Sequence, residues 1–492
     1  ACAQCHDHKY DPFSIEDYYS LAAFFNNTPQ EGRRIDPNGA GMKYSGPDVD
    51  VPLNSEEKQR REELRYKLNL VKQQFIAKVE ELCRELPEKK LVGLKKDAPQ
   101  ALALIHQRER NFQEAMRIKK ALFKKGEGAK ALGDLEQQVK RQTKSIEKGA
   151  FQIGFTSRVM KEMDKPRRSF VLKRGDFLTP GREVQPSTPT ALHPFPQGQP
   201  KNRLGLARWI VSPENPLTAR VAVNRIWAEL FGRGLVTTLD DFGRQGEKPS
   251  HPQLLDWLAV AFRDDDSWSM KATIRRIVLS AAYRQSAVSG MAKRVKDPDN
   301  VYYARGPRNR LVAELVRDNA LAISGLLSGK MFGPPVRPIQ PDKFWRVIGE
   351  VDNTYYLSGG EDLHRRGIYT LWRRSAHYPS FANFDAPNRG ACTVMRQSSN
   401  TPLQALTLMN DPSYVEMARA FAARIQQETE DMDATMSLAH AFRIALCRHP
   451  LFDEVEILRR IYFTSLDTDG SEVEAWFDVD TTLLNLHETI TK

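Results

Sequence analysis

The stretch NPLTARVAVNRIWAELFG, residues 215–232, contains a complete set of helix signals. Asn215 is a good N-cap residue, Pro216 suits the first turn, and Gly232 suits the position just after the last turn. The residues between them are mainly apolar, so the stretch predicts a buried helix that ends at Phe231. Similar helix starts recur further along the chain, at Ser250-His251-Pro252, Ser269, Thr401-Pro402 and Asp411-Pro412.

These repeated signals predict a mainly α, multi-helix C-terminal domain over residues 201–460. No convincing run of alternating strand residues interrupts them, which predicts little β structure. Stretches without helix periodicity, at 232–250, 330–366 and 375–400, predict long ordered loops between the helices. Residues 461–492 are expected to form a C-terminal tail.

Residues 55–148 predict a charged arm, built as a helical hairpin, a coiled coil or a three-helix insertion. The arm contains 24 Lys and Arg against 15 Asp and Glu, which supplies nine of the net charge of +11 of the 492-residue chain. A solvated helical face explains that excess, and an anionic partner is the alternative. Apolar residues recur there at the spacings of a coiled-coil seam: Leu64, Leu68, Val71, Phe75, Val79 and Leu82.

The remaining segments connect these parts. Residues 1–28 hold a Cys/His cluster followed by a short helix, and the Gly-, Pro- and Asn-rich residues 29–54 predict a loop. Residues 149–200 contain a short strand at Phe170-Val171-Leu172 and then a proline-rich connector. Several domains are also what the length of 492 residues suggests.

The strongest chemical signal is the motif Cys2-Ala-Gln-Cys5-His6. In Cys-x-x-Cys-His, the two thiols attach covalently to one haem and the histidine becomes an axial ligand of its iron. The motif therefore predicts haem c at Cys2 and Cys5, with His6 as metal ligand. Two alternatives stay open. One is a zinc site that uses His6 or His8 and needs a fourth ligand, and the other is a plain redox or structural cysteine pair.

The sixth ligand of the iron is not marked by any motif. Methionine and histidine are the usual choices. Met42 is one candidate, because it follows the glycine-rich residues 39–41, which could bend toward a haem. His193 is another.

The start of the chain and its cysteines bear on the cellular location of the protein. Ala1 is followed at once by the motif, so we expect further sequence upstream of it. No signal peptide is visible, and no run of about 20 apolar residues predicts a transmembrane segment. The three other cysteines are scattered, which does not indicate a disulfide framework. They are Cys83, Cys392 and Cys447.

A second group of polar residues lies in the predicted loops of the C-terminal half. Loops on a rigid scaffold commonly carry functional sites, and guanidinium groups bind carboxylate, sulfate or haem propionate oxygens bidentately. The alternative interpretation is that these are Arg/Asp pairs that attach the loops to the helices. The candidate residues for a substrate or propionate site are Asp241, Arg244, Arg374, His377, Asp385, Arg389 and Arg396.

Several stretches resemble large proteins of the planctomycete cytochrome-c type. The first two stretches below resemble the end of the cytochrome-c-like domain, and the others resemble the domain of unknown function that follows it. They are CAQCHDHKYDPF (2–13), DYYSLAAFF (17–25), LKRGDF (172–177), NRLGLARW (202–209), NPLTARVAVNRIW (215–227), DFGRQG (241–246), FDAP (384–387) and TPLQAL (401–406).

This resemblance implies a haem at the N-terminal end and a periplasmic or extracellular location. It also implies that the protein occurs beside sulfatases and polysaccharide-degrading systems. It implies no particular reaction.

Three functions fit these observations. The first is electron transfer, with a redox partner protein or a substrate bound by the helical domain. The second is a carbohydrate-binding or polysaccharide-processing module that takes an anionic glycan, with the haem subsidiary. The third is a scaffold. No nucleic-acid-binding signature is present, so nucleic acid is not an expected partner. No catalytic motif decides whether the protein is an enzyme.

Overall fold

A computed structural model describes residues 2–29, 31–34, 42–45, 48–50, 55–85, 111–123, 127–153, 156–341, 355–373 and 376–491. Over these residues the protein is mainly helical, which confirms the predicted fold class. The strands among them pair in short two-stranded ribbons. None of the described helices is both long and apolar enough to cross a membrane.

The elements are numbered in chain order. The helices are α1 Ile15–Ala23, α2 Ser55–Arg84, α3 Phe112–Leu122, α4 Glu127–Ile153, α5 Arg203–Ile210, α6 Thr218–Phe231, α7 Pro252–Arg263, α8 Met270–Val278, α9 Met291–Lys296, α10 Ala313–Ile323, α11 Pro379–Asn383, α12 Pro402–Asn410, α13 Pro412–Glu428, α14 Ala434–Leu446, α15 Phe452–Asp469 and α16 Glu472–Asn485. The strands are β1 Glu31–Arg34, β2 Met42–Ser45, β3 Asp48–Asp50, β4 Thr156–Arg158, β5 Ser169–Leu172 and β6 Pro180–Val184.

The chain divides into two compact units. The main unit comprises Ala1–Thr28, Glu162–Met331 and Pro335–Lys492, and the inserted unit comprises Pro29–Lys161 with Phe332–Pro334. The cysteine motif and the C-terminal helices therefore belong to one unit, although they lie at opposite ends of the sequence.

The larger hydrophobic core of the main unit lies among α10 and α13 to α16. Phe421 of α13, Leu438 of α14 and Val479 and Leu483 of α16 are fully buried there. The sequence predicts a C-terminal tail over 461–492, but the structure has helix there. The helix forms because apolar residues spaced by four give α16 a buried face.

A second core joins α6, α7 and α8. Val223 and Trp227 of α6 belong to the same buried cluster as Ile277 of α8. The ring of Trp227 also stacks on Phe231, with ring centroids 4.2 Å apart. Helix α6 ends at Phe231, and Gly232 follows with a φ of +75°, a left-handed conformation that favours glycine. The helix end predicted from the sequence is confirmed.

Ser269 and Asp411 are the N-cap residues of α8 and α13, as predicted. Helix α6 begins later than predicted, at Thr218 with Leu217 at its N-cap, because Asn215 forms a turn ahead of the helix. The side-chain oxygens of Asn215, Ser269 and Asp411 accept hydrogen bonds from backbone N–H groups at the starts of α6, α8 and α13. The distances are 3.1, 3.3 and 2.9 Å. Each cap satisfies an N–H group that the helix itself leaves without a partner.

At the N-terminal end of the main unit, α1 packs against the ribbon of β5 and β6. Ser14 and Asp17 form a capping box that begins α1. The strand predicted at Phe170-Val171-Leu172 is β5, which pairs antiparallel with β6. The connection between the two strands contains Gly175 with a φ of +76°.

The two segments of the main unit that flank the inserted unit in the sequence contact each other. Asn27 Nδ2 donates to Glu162 Oε2 at 2.7 Å, and the backbone N–H of Met163 donates to the Asn27 carbonyl at 3.2 Å. Glu162 also pairs with Arg203 at 2.8 Å. These contacts hold the two ends of the insertion side by side.

In the inserted unit, α2, α3 and α4 form the helical arm expected over 55–148. Phe75 and Val79 of α2, Ile118 of α3 and Leu132 of α4 share one buried cluster. Two of the six residues of the predicted seam therefore lie at the centre of this packing.

The sequence predicts a loop over 29–54, whereas the structure has three short strands there. β1 pairs antiparallel with β2, and β3 pairs antiparallel with β4. These strands are only three or four residues long and mainly polar. They lack the apolar alternation by which a strand is recognised in a sequence.

Candidate functional site

The cysteine motif lies at the surface of the main unit. Residues Cys2–Gln4 form one 3-10 turn, and the thiols of Cys2 and Cys5 are exposed and free. Tyr19 of α1 donates its hydroxyl to the Gln4 carbonyl at 2.9 Å, which holds the turn. Burial raises the pKa of Tyr19, with smaller contributions from Tyr18 and Cys5, so the hydroxyl remains a donor at neutral pH.

The geometry of His6 suits a metal ligand. Its Nδ1 lies 2.6 Å from the backbone carbonyl oxygen of Asp7. A carbonyl only accepts, so this contact assigns the proton to Nδ1 and leaves the lone pair of Nε2 free. A histidine that binds a metal through one ring nitrogen usually donates the other to a carbonyl or carboxylate. Two exposed thiols beside such a histidine fit covalent haem attachment.

The zinc interpretation requires four ligands close together. His8 Nδ1 accepts the backbone N–H of Asp11 at 2.9 Å, so that nitrogen is already engaged. Within the described parts of the chain, no three His, Cys, Asp or Glu side chains are grouped closely enough to hold a metal ion.

Asp11 connects the motif segment to the loop that follows α6. Its Oδ1 accepts the backbone N–H of Arg244 at 2.8 Å, and a Cβ on Gly243 would lie only 2.5 Å from that oxygen. Asp241 accepts the N–H of Gly243 at 2.7 Å and holds the loop in shape. The candidate residues Asp241 and Arg244 therefore lie beside the motif segment. Their described contacts hold the loop in shape and attach it to the motif segment.

Gly175 lies directly against Cys5. Its φ is +76°, and a Cβ added there would lie 3.0 Å from Cys5 Sγ. Gly198 is a matched position, because its φ is +72° but nothing lies within 4 Å of an added Cβ. The two glycines share the backbone requirement, and only at Gly175 would an added Cβ contact Cys5 and, at 3.7 Å and 3.8 Å, Gln4.

We expect alanine at Gly175 and at Gly198 to lower the free energy of unfolding by about the same amount, roughly 1 kcal/mol, since both residues are left-handed. Only Gly175→Ala should also slow alkylation of Cys5 in a Cys2→Ala background, at least about twofold, because the new methyl group crowds the Sγ atom. Peptide mass spectrometry would follow the labelling of Cys5. Equal labelling in the two glycine variants would contradict the contact.

The C-terminal candidate residues lie in two groups around Glu314 and Asp385. Glu314, at the start of α10, accepts from Arg396 Nη1 at 2.5 Å and Nη2 at 3.2 Å, and Arg389 Nη2 lies 3.6 Å from it. Burial acts to raise the pKa of Glu314, but hydrogen bonds and charge from Arg396, with the charge of Arg389, hold it below its usual range. Arg389 and Arg396 are thus paired with the buried carboxylate of Glu314, which attaches their loop to α10.

Asp385 is surrounded by hydrogen-bond donors. Its carboxylate accepts from the backbone N–H of Ser399 at 2.7 Å and from the Ser399 hydroxyl at 2.7 Å. Gln404 lies between Asp385 and Arg310, because its Nε2 donates to Asp385 at 3.4 Å and its Oε1 accepts from Arg310 Nη2 at 2.6 Å. Asp385 and Arg310 are therefore linked through a buried amide.

His377 stacks on Trp372, with ring centroids 5.4 Å apart, and Arg389 lies over the Trp372 ring at 4.2 Å. His377 Nε2 is buried without a hydrogen-bond partner among the described residues. His377 and Arg389 are thus brought together across one indole ring. Arg374 lies outside the described residues.

The two candidates for the sixth haem ligand lie in different units of the chain. Met42 begins β2 of the inserted unit, where it pairs with Arg34, and residues 39–41 lie outside the described residues. His193 stacks on Trp209 with ring centroids 4.7 Å apart, and its Nε2 contacts the Trp209 carbonyl at 3.0 Å. The sixth ligand remains a prediction.

A cavity of about 730 Å³ lies within the main unit. Its wall is formed by the end of α6 and the loop after it, by residues 308–312 just before α10, and by the segment that leads to α12. Asp385 and Arg396 from the predicted group line it. Three further arginines that the sequence analysis did not single out also line it: Arg233, Arg308 and Arg310. The pattern Arg308-Asn-Arg310 just before a helix was the only signal for two of them.

Comparison with known protein families gives two matches. Residues 202–462 match the family PSD1, described as a protein of unknown function (DUF1553). Residues 1–30 match PSCyt2, described as a protein of unknown function (DUF1549). No curated protein and no solved structure is significantly similar to the chain.

Proposed function

Since the chain belongs to the PSD1 family, whose profile covers more than half of it, we propose that it is a cytochrome-like protein located outside the cytoplasm. In this proposal it carries covalent haem c at Cys2 and Cys5, with His6 as axial ligand, and it exchanges electrons with a partner protein. The observation that carries the proposal is the geometry of residues 2–6 beside a segment that matches PSCyt2.

The side chains around the motif support this assignment. The two thiols are exposed, as covalent attachment requires, and the proton on His6 Nδ1 leaves Nε2 free to bind iron. Bound haem would supply a one-electron redox centre. The proposed location follows from the same motif and from the resemblance to exported proteins.

The packing of the motif segment gives the helical domain a part in this function. Asp7 Oδ1 accepts the backbone N–H of Ile15 at 2.8 Å, Asp11 is joined to Arg244, and Glu16 is paired with Arg182. These contacts fix residues 2–16 on the main unit. A redox partner that docks on the helices would therefore meet the motif at a defined position.

The test is a pyridine haemochrome spectrum with haem staining of the denatured protein, after expression of the full chain with a cytochrome c maturation system. Wild type should retain covalent haem, and Cys2→Ala/Cys5→Ala should lose it. Cys392→Ala is the matched control, because it removes another exposed free thiol outside the motif. His6→Ala should alter the spectrum of the iron. Absence of covalent haem in the wild type would refute the proposal.

A further inference from the structure

The cavity of about 730 Å³ is formed by three segments of the main unit. They are the loop after α6, the residues before α10 and the segment that leads to α12. A smaller cavity of about 390 Å³ shares Arg308, Arg310, Ser398 and Ser399 with it. Arg308 and Arg310 therefore line both cavities. A volume of this order suits a small organic ligand, since such pockets usually measure about 300–1,000 Å³.

The charges that line the larger cavity are unbalanced. Four arginines face two carboxylates, Glu229 and Asp385. Arg396 is already neutralised by Glu314, and Asp385 is satisfied by Ser399. Arg233 has a carboxylate, Asp299, at 3.9 Å. The other two lining arginines, Arg308 and Arg310, have no carboxylate within ion-pair distance among the described residues.

Arg310 is a half-buried cation bonded to a neutral group. Its Nη2 donates to the amide oxygen of Gln404 at 2.6 Å, and its Nε is buried without a hydrogen-bond partner among the described residues. Burial lowers the pKa of Arg310, although the charge of Asp385 opposes that effect. A guanidinium held in this way costs free energy unless an anion completes its hydrogen bonds.

Arg308 is exposed and also available to a ligand. The carboxylate near it, Glu488, already accepts two hydrogen bonds from Arg448, at 2.7 and 2.8 Å. The hydrogen bonds from Arg448, and more weakly the charge of Arg308, lower the pKa of Glu488. Glu488 is thus mainly the partner of Arg448.

The wall also has apolar parts, which include Leu239, Leu311, Phe384 and Met395. Asn309 holds one side in place, because its Nδ2 donates to the Leu230 carbonyl at 3.1 Å. A ligand that fits this lining has an anionic head and an apolar body.

We propose that this cavity binds a small organic anion, with its carboxylate or sulfonate-type oxygens on Arg308 and Arg310 and its apolar part against Leu239 and Leu311. The guanidinium fork matches two oxygens of such a group. The proposal does not depend on the haem, and it assigns to the helical domain a ligand site of its own.

Isothermal titration of the full chain with benzenesulfonate tests the proposal, and benzenesulfonamide serves as a neutral probe of nearly the same shape. Benzenesulfonate should bind saturably, at least about tenfold more tightly than the sulfonamide, because only the anion gains charge-assisted hydrogen bonds. Arg308→Gln and Arg310→Gln should each weaken benzenesulfonate binding about tenfold or more.

Arg275→Gln is the matched control, since Arg275 is an exposed arginine of α8 away from the cavity lining. It should leave binding unchanged. Thermal unfolding of each variant shows whether it is folded, and Arg308→Gln provides the second variant if loss of the Gln404 contact unfolds Arg310→Gln. Equal binding of the two probes, no saturable binding of benzenesulfonate, or equal affinities in a folded Arg308→Gln variant and the control would overturn the proposal.

Discussion

Replacing Asn224 with leucine should lower the free energy of unfolding of the main unit by about 3–5 kcal/mol. Asn224 of α6 is completely buried. Its Nδ2 donates to the Val236 carbonyl and its Oδ1 accepts the Val236 N–H, both at 2.9 Å. Leucine offers neither group, so two buried backbone groups would lose their partners, at about 1–3 kcal/mol each.

The substitution should also disturb the cavity, because the loop that Asn224 holds contributes Gly232, Arg233 and Leu239 to the cavity wall. Urea unfolding followed by circular dichroism would measure the change. Asn410→Leu is the control, since Asn410 is exposed and bonds only within its own helix, to the Leu406 carbonyl. It should change stability by less than about 0.5 kcal/mol. Similar effects of the two variants would contradict the role assigned to Asn224.

Replacing Asp480 with asparagine should make the protein more stable at neutral pH and flatten the pH dependence of its stability. Asp480 of α16 is fully buried, and neither carboxyl oxygen has a hydrogen-bond partner among the described residues. Burial raises the pKa of this carboxyl well above its ordinary value. The cause is the high cost of an ionised group in an apolar core.

The native state therefore keeps a proton on Asp480 at pH values where the unfolded chain has lost it. Above the unfolded pKa of about 3.9, the unfolding free energy falls by about 1.4 kcal/mol per pH unit, until the pH reaches the raised native pKa. Asparagine has nearly the same shape and does not titrate. The advantage of the variant should thus grow at about that rate as the pH rises from about 5.

Urea unfolding at a series of pH values would measure this difference. Asp467→Asn removes an exposed carboxylate from the neighbouring helix α15 and should change stability by less than about 0.5 kcal/mol at each pH. A constant difference between wild type and Asp480→Asn across the series would show that Asp480 is ionised in the folded protein.

Helix positions were predictable because their signals are local. Ser269 and Asp411 cap helices where the sequence places them, and Gly232 ends α6. The strands of the inserted unit were not predictable, because backbone pairing between short polar segments leaves no pattern in side-chain polarity. The helix at 472–485 differs from these strands, because its apolar residues do recur at helical spacing, although the sequence analysis predicts a tail there.

The motif at Cys2, Cys5 and His6 could be found because its residues are adjacent in sequence. The cavity could not, because its arginines come from positions as far apart as Arg233 and Arg396. The sequence suggested Arg389 and Arg396 as ligand-binding residues, but it could not show that Glu314 of a distant helix pairs with them. Residue type identified the chemistry, and only the fold revealed which charges were already neutralised.

The hydrogen bonds from Asn27 to Glu162 and from Met163 to Asn27 hold the two ends of the inserted segment next to each other. A segment with adjacent ends can change in length without altering the path of the chain on either side of it. Pro29–Lys161 could therefore gain, lose or exchange whole helices during evolution while Asp11 stayed on its loop. In protein engineering, a short flexible linker between Thr28 and Glu162 is accordingly the natural way to make a smaller protein that keeps the motif and the cavity together.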